Sequence, residues 1–320
     1  MAVKFSISIP AFKRRFLKEC IDSILSQTCH DFELIIVNDA SPEDLHSVVR
    51  QYSDSRIYYY VNEKNCGAVN VVDNWNKCLE YAKGDFIICM GDDDKLMPNC
   101  LEEYSRLIDK YPNLGVYHAW TEIIDENSQF FKLQEPRPEY ESCLSLAYNR
   151  WKGRLQYIGD FCFNTAKLRA DGGFFYLPLA WGADDITAVR AARYAGIANT
   201  QVPCFQYREN RRSISISGNI MIKLTATPQV FKWYEEFLNR YKDREMSSVE
   251  QHYYYLMIEE LPRYIRKKVR SGLTDAMIQK PWRLMSFLKK SDLYNMSKKD
   301  VLYSFFLALG NISKITQRKI

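Results

Sequence analysis

The stretch Asp85-Phe86-Ile87-Ile88-Cys89-Met90-Gly91-Asp92-Asp93-Asp94 constrains the chain more than any other. Five apolar residues run into a glycine, and three consecutive acids follow. An apolar run bounded in this way reads as a fully buried strand. The acids then stand at the carboxyl end of that strand, where open α/β sheets bind their ligands. Three adjacent carboxylates repel one another. A hard cation with oxygen ligands, Mg²⁺ or Mn²⁺, relieves that repulsion and commonly bridges to substrate phosphates. A solvated acidic turn is the plainer reading, and the rest of the chain has to decide between the two.

Around this stretch, strand and helix patterns alternate. Phe5, Ile7 and Ile9 alternate with polar residues and predict a strand ending at Pro10. Apolar residues at helical spacing predict a helix over 16–28. A mostly apolar strand over 32–37 runs into Asn38-Asp39-Ala40-Ser41-Pro42, where Ser41 as N-cap and Pro42 at the first helical position predict another helix. A strand over 56–61, a turn at Asn65-Cys66-Gly67, a helix over 69–82 stopped by Gly84 and a helix over 99–111 complete the first half. Such alternation predicts βαβ units and a mostly parallel sheet with helices on both faces. Pro10, Asp39 and Asp92–Asp94 then lie along one rim.

Further on, 114–124 reads as a strand, and 130–155, with its prolines and aromatics, as an irregular loop over a site. Gly172-Gly173 marks a turn. Asp184 and Asp185 precede a helix over 186–194 closed by Gly196, and a strand over 197–208 follows. Two acids at a helix start are favoured by the helix dipole alone, by about 0.3–1 kcal/mol each. After residue 218 the texture changes to helices over 228–241, 249–270, 282–288 and 298–309, with Gly272 and Pro281 as breaks and a kink expected at Pro262.

Composition narrows the class. Of 320 residues, 47% are hydrophobic and 26% charged, as in a globular protein. No apolar run approaches the roughly 18–20 residues that span a bilayer, and the first residues lack the apolar core of a signal peptide. Nine cysteines without a CxxC pair argue against a disulfide framework or a zinc ribbon and suggest a reducing cytoplasm. The net charge of +5 is uneven. Residues 219–320 hold 19 Lys and Arg against 10 Asp and Glu, hence +9, and the rest is −4. A basic third suits an anionic surface or solvated helix faces.

With these residues in place, the chain over about 5–217 resembles the family-2 glycosyltransferases of the GT-A fold. Ser8-Ile9-Pro10-Ala11-Phe12 is similar to the family's P-x-Y/F opening, and 20–28 to its first helix. The segment 33–41 is similar to its E-x-I-V-V-D-D-x-S pattern. Asn65-Cys66-Gly67 falls at N-x-G, Ala82-Lys83-Gly84-Asp85 at A-x-G-D, and Gly172-Gly173-Phe174 and Tyr207-Arg208 at later landmarks. Each is weak alone, and their order and spacing carry the resemblance. It implies an α/β GT-A catalytic domain over 1–218, with a nucleotide-sugar half to about 112 and an acceptor half over 113–218, and a basic helical extension over 219–320.

The resemblance further implies inverting transfer from a nucleotide-sugar, read as a UDP-sugar, to a saccharide or lipid-linked saccharide acceptor in surface polysaccharide assembly. Pro10, Phe12 and Asp39 would surround base and ribose, with Asn65 and Gly67 beside them. A turn-forming role is the plain reading of Asp39. Mn²⁺ or Mg²⁺ would be held by Asp93 or Asp94, with Asp92 toward the ribose. Asp185 would be the general base and Asp184 would position the acceptor, with Asp184 the alternative base.

Two departures stand out. Gly91 occupies the first acidic position of the family's D-x-D-D, and Asn210 stands where Y-R-x-H-x-x-S has its histidine, which leaves Arg208, Arg211 or Arg212 as expected phosphate contacts. A metal-dependent nucleotidyltransferase and a non-catalytic sugar-nucleotide-binding module are the competing readings. The first usually wants a Gly-rich basic loop after the first strand, where Lys13-Arg14-Arg15 brings charge but no glycine. The second makes poor use of the acids. A dinucleotide-binding G-x-G-x-x-G is missing from that position. Nucleic acid is not an expected partner. For the basic helices, contact with the inner face of a membrane, dimerisation and packing against the catalytic domain are all open readings.

Overall fold

β1 (Phe5–Ala11) lies between β2 (Phe32–Asn38) and β4 (Phe86–Cys89), parallel to both, and β3 (Ile57–Val61) extends β2 in parallel. Every residue of β2 and β4 is buried, and in β1 all but Pro10, which is why these strands read as unbroken apolar runs. The computed structural model describes residues 3–210, 218–294 and 296–317. Among them the sheet has ten strands. Its main path is β3-β2-β1-β4-β9-β6-β10-β5, where β5 is Lys95–Leu96, β6 Val116–Ile124, β9 Phe161–Asn164 and β10 Ile197–Arg208. β7 (Phe130–Leu133) pairs with β6, and β8 (Tyr140–Glu141) with β10. The first half is parallel, as expected. Beyond β4 the sheet is mixed, because β9 runs antiparallel to both neighbours and only β6 and β10 are parallel.

The helices of this part are α1 (Leu17–Leu25), α2 (His46–Val49), α3 (Val71–Tyr81), α4 (Cys100–Lys110), α5 (Cys143–Lys152), α6 (Thr165–Ala170) and α7 (Ala183–Ala192). Leu17, Cys20, Ile21 and Ile24 of α1 and Leu101, Tyr104 and Leu107 of α4 join Phe5, Ile7, Ile9, Leu34 and Ile36 in one core. The two polar residues inside β1 are satisfied: Ser6 Oγ donates to Glu33 Oε1 (2.7 Å) and Ser8 Oγ to the carbonyl of Ile88 (3.2 Å), as burial demands.

Three expectations need correction. No helix starts at Ser41: its hydroxyl donates to the Phe12 carbonyl (2.5 Å) and accepts Glu43 N–H (3.1 Å), which ties the segment to the end of β1, and a helix forms only at α2. Gly84 does not stop a helix, since α3 ends at Ala82 in extended conformation. A Cβ at position 84 would lie 2.6 Å from the Ser6 backbone nitrogen, so a close pass under β1 requires glycine there. The stretch 130–155 is not a loop but carries β7, β8 and α5, the last begun by Ser142 accepting Ser145 N–H.

The chain divides into two compact units, Met1–Tyr176 with Gly182–Ser213, and Leu177–Trp181 with Ile214–Ile320. The second unit is helical: α8 (Ile220–Tyr241), α9 (Ser248–Gln279), α10 (Arg283–Lys289) and α11 (Lys298–Gln317). Trp181 belongs to it through Lys223, whose ammonium lies 4.5 Å from the indole centroid. α9 is longer than expected and runs through both Pro262 and Gly272. At Gly272 a Cβ would lie 2.6 Å from the end of the Leu224 side chain of α8, so the glycine marks helix contact and not a break. Among the described residues no helix is long and apolar enough to cross a membrane, and no disulfide joins the cysteines.

Candidate active site

The carboxyl ends of β1, β2 and β4 deliver two groups of residues to one rim, and the start of α7 supplies a third. At the end of β2, Asp39 is nearly buried. Its Oδ1 accepts Asn62 Nδ2 (2.8 Å) and the N–H of Cys66 (2.9 Å), and Asn74 Oδ1 accepts from the same Asn62 amide (3.0 Å). Asn65 Oδ1 accepts Gly67 N–H, and Gly67 takes φ +77°, a conformation that favours glycine. Asp39, Asn65 and Gly67 therefore form one fixed turn. Pro10 is half-buried at the end of β1, and the Phe12 ring is exposed on the rim.

At the end of β4 the three acids part company. Asp92 Oδ2 accepts the N–H groups of Phe12 (2.7 Å) and Lys13 (2.6 Å), which fastens the loop after β1 to the acid turn. Burial first, and the charge of Asp93 second, push its carboxyl up to about 6 against those two amides. Asp94 is buried, and its Oδ1 accepts Arg208 N–H (2.9 Å). Burial and then the Asp93 charge hold it well above the usual carboxylate range. Asp93 is the most open of the three, with Asn210 Nδ2 donating to its Oδ2 and Lys13 Nζ 3.8 Å away. A Cβ on Gly91 would lie 2.8 Å from Asp93 Oδ1 and 3.0 Å from Asp94 Oδ2. Those two oxygens converge over Gly91, and the glycine in the first acidic position is what makes room for them.

A small hard cation would find two carboxylate oxygens here and not a full cage of side chains. Among the described residues no three His, Cys, Asp or Glu side chains converge as a metal cage. Two converging carboxylate oxygens, in a turn whose acids repel, suit Mg²⁺ or Mn²⁺ that takes its remaining ligands from phosphates and water. Asp93 and Asp94 would hold it.

Arg208, expected at a phosphate, is fully buried beneath the turn. Its Nε donates to the Asp93 carbonyl (2.7 Å), its terminal nitrogens reach the Asp125 carbonyl, Ser128 Oγ and Glu19 Oε2, and the guanidinium lies 4.1 Å from the Phe16 ring centroid. With every nitrogen engaged, it braces the acid turn from below. Arg211 and Arg212 lie outside the described residues.

The third group starts α7. Gly182 takes φ +91° as its N-cap, and Asp184 and Asp185 occupy its first turn. Asp185 is buried, and its Oδ1 accepts Arg150 Nε (2.6 Å) and Gln156 Nε2 (2.8 Å). Burial first, and the Asp185 charge second, push the half-buried Asp184 up to about 7. Tyr157 is stacked on Tyr207, the residue before Arg208, with ring centroids 3.6 Å apart, and its N–H donates to Asp160 Oδ2 (3.1 Å).

Arg150, Gln156, Tyr157, Asn62 and Asn74 have no signal in the sequence alone. Each acts through a partner far along the chain, and Arg150 lies in a stretch whose elements the prolines and aromatics disguise.

Comparison with known proteins bears on the same residues. The family model "Glycosyl transferase family 2" matches residues 6–174, which takes in the Asp39 turn and the acid turn. An uncharacterized glycosyltransferase of Rickettsia typhi is 29% identical over 137 residues, 42% of this chain and 42% of its own. The GalNAc(5)-diNAcBac-PP-undecaprenol beta-1,3-glucosyltransferase of Campylobacter jejuni is 36% identical over 126 residues, 38% of this chain and 39% of its own. The chain thus spans about two fifths of the length of these two relatives. The UDP-Glc:alpha-D-GlcNAc-diphosphoundecaprenol beta-1,3-glucosyltransferase of Escherichia coli is 28% identical over 213 residues, 66% of this chain and 79% of its own. In fold, the chain is similar to S. aureus TarS 1-349 in complex with UDP-GlcNAc, with a TM-score of 0.59 at 14% identity over 98% of this chain and 92% of that one. A family match that begins in β1 and runs past the Asp39 turn and the acid turn covers more than half of the sequence, and the chain belongs to glycosyl transferase family 2.

Proposed function

We propose that the chain transfers a sugar, with inversion, from a UDP-sugar to a hydroxyl of a saccharide acceptor carried on a lipid diphosphate, in surface polysaccharide assembly. The observation that carries this reading is the shared rim: a fixed Asp39 turn beside an acid turn where Asp93 Oδ1 and Asp94 Oδ2 converge over Gly91. Asp39, with Asn65 and Gly67, would hold the uracil and ribose, and the exposed Phe12 ring and Pro10 would cover the base. Asp92 fixes the loop that carries Phe12 and so acts on the nucleoside through that loop. Bound Mg²⁺ or Mn²⁺ would neutralise the diphosphate as it leaves.

Asp185 would take the proton of the acceptor hydroxyl. The acceptor oxygen then forms its bond to the anomeric carbon as the carbon–phosphate oxygen bond breaks and UDP departs. Arg150 and Gln156 keep one oxygen of Asp185 fixed and turn the other to the acceptor, and Asp184 beside it would hold the acceptor. The relatives' named undecaprenol diphosphate acceptors support the lipid-linked class, and the UDP-GlcNAc complex of a protein with the same fold supports a UDP-sugar. Incubation with a panel of UDP-sugars and Mn²⁺, read as UDP release, tests the proposal. Slow release by donor hydrolysis is expected with one donor of the panel, and silence across the panel would overturn it.

A further inference from the structure

Within the helical unit, α11 carries its apolar residues on the wrong side for a helix in water. Val301, Ser304 and Ala308 are buried at spacings of three and four and form its inward stripe. The outward face, which is normally polar, holds Leu302, Tyr303, Phe306, Leu307 and Leu309, all exposed, Phe306 to 67%. Tyr303 and Leu307 also form one wall of a cleft of about 570 Å³ whose other wall is cationic: Arg263, Arg266, Lys267 and Arg270 of α9. Asp275 is the acid that lines it. Ion pairs hold the arginines along the cleft, Arg263 with Glu260 (3.8 Å), Arg266 with Asp300 (3.9 Å) and Arg270 Nε with Asp300 (2.8 Å), and the Arg270 guanidinium lies 4.4 Å from the Tyr303 ring centroid.

We propose that this face of the helical unit, the outward strip of α11 together with the cationic wall of α9, docks on an anionic phospholipid surface. Large apolar side chains beside arginine and lysine are what an interfacial segment needs: the first enter the acyl boundary and the second meet phosphate headgroups. Charge decides between the two available occupants. Two copies packed through this face by a two-fold axis would set one cationic wall near the other, in a segment that already carries +9, whereas an anionic bilayer complements it. The inference rests on the helical unit alone and stands whatever sugar is transferred.

The test uses the full chain and vesicles of phosphatidylcholine with and without phosphatidylglycerol, read by co-sedimentation. Binding is expected to the mixed vesicles and not to phosphatidylcholine alone. Arg266→Ala with Lys267→Ala should weaken it about ten- to thirtyfold. Phe306→Ser should weaken it as well while leaving the melting curve unchanged, because that side chain is exposed. Failure to pellet with phosphatidylglycerol vesicles would overturn the proposal, as would equal binding to neutral ones. If Phe306→Ser instead abolishes a concentration-dependent dimer seen by sedimentation velocity, with no vesicle binding, the face belongs to a second copy and the proposal fails.

Discussion

Asp184 and Asp185 are neighbours in sequence with opposite surroundings, and much of the proposed chemistry depends on that difference. Asp185 is gripped by Arg150 and Gln156, while Asp184 is pushed up to about 7. Asp185→Asn should keep UDP affinity and lower kcat by about 10²–10⁴. Transfer at a near wild-type rate would move the base elsewhere, to Asp184 first. Arg150→Ala should lower kcat by up to about 10², through misplacement of the carboxylate, with UDP affinity unchanged. For Asp184 the linkage sign is fixed by its raised value. Its contribution to stability is present below the unfolded carboxylate range and is lost as pH rises through about 7. Asp184→Asn removes that loss. The variant should therefore melt about 2–4 °C higher than wild type at pH 8, and the gain should vanish toward pH 4. A gain that grows on acidification would contradict the burial argument.

At the scale of elements, the sheet's central strands were legible because each is buried on both faces and reads as an apolar run. The parallel core and the helices over it follow from that pattern, while the last strand, Ile197–Arg208, is of mixed sequence with Gln201 and Val202 exposed. The pair Asp39 and Asp92–Asp94 was legible as strand-end acids for the same reason. What was not legible depends on contact at a distance. Gly84 and Gly272 look like helix stops, yet each is a place where backbone passes close to another element. Gly272→Ala should therefore gain less than the about 1 kcal/mol that helix propensity alone predicts, because the end of the Leu224 side chain must shift to admit the methyl group. A denaturant melt measures the difference. Likewise, nothing near Asp160 in sequence shows that it is fully buried, with its Oδ2 accepting Thr121 Oγ1 (3.2 Å), Gln134 Nε2 (2.9 Å) and Tyr157 N–H (3.1 Å). That network fixes Tyr157 beside the acid turn, and Asp160→Ala should cost about 3 kcal/mol.

Over the whole molecule, charge is unevenly divided. The mildly acidic part over 1–218 places Asp39 and Asp92–Asp94 at strand ends, where an anionic diphosphate would meet them only with a cation between. The basic helical part presents arginine and lysine beside apolar side chains. The proposed function makes the rim formed by Asp39 and by Asp93 with Asp94 a UDP-sugar site that works with a divalent cation. Calorimetric titration of the full chain with UDP, with and without Mn²⁺, tests it most directly. Binding is expected to require Mn²⁺, to be lost in Asp39→Ala, to be weakened about tenfold or more in Asp93→Ala and to be kept in Asp185→Asn. UDP binding that is indifferent to Mn²⁺ and survives Asp93→Ala and Asp94→Ala alike, or no binding at all, would contradict it.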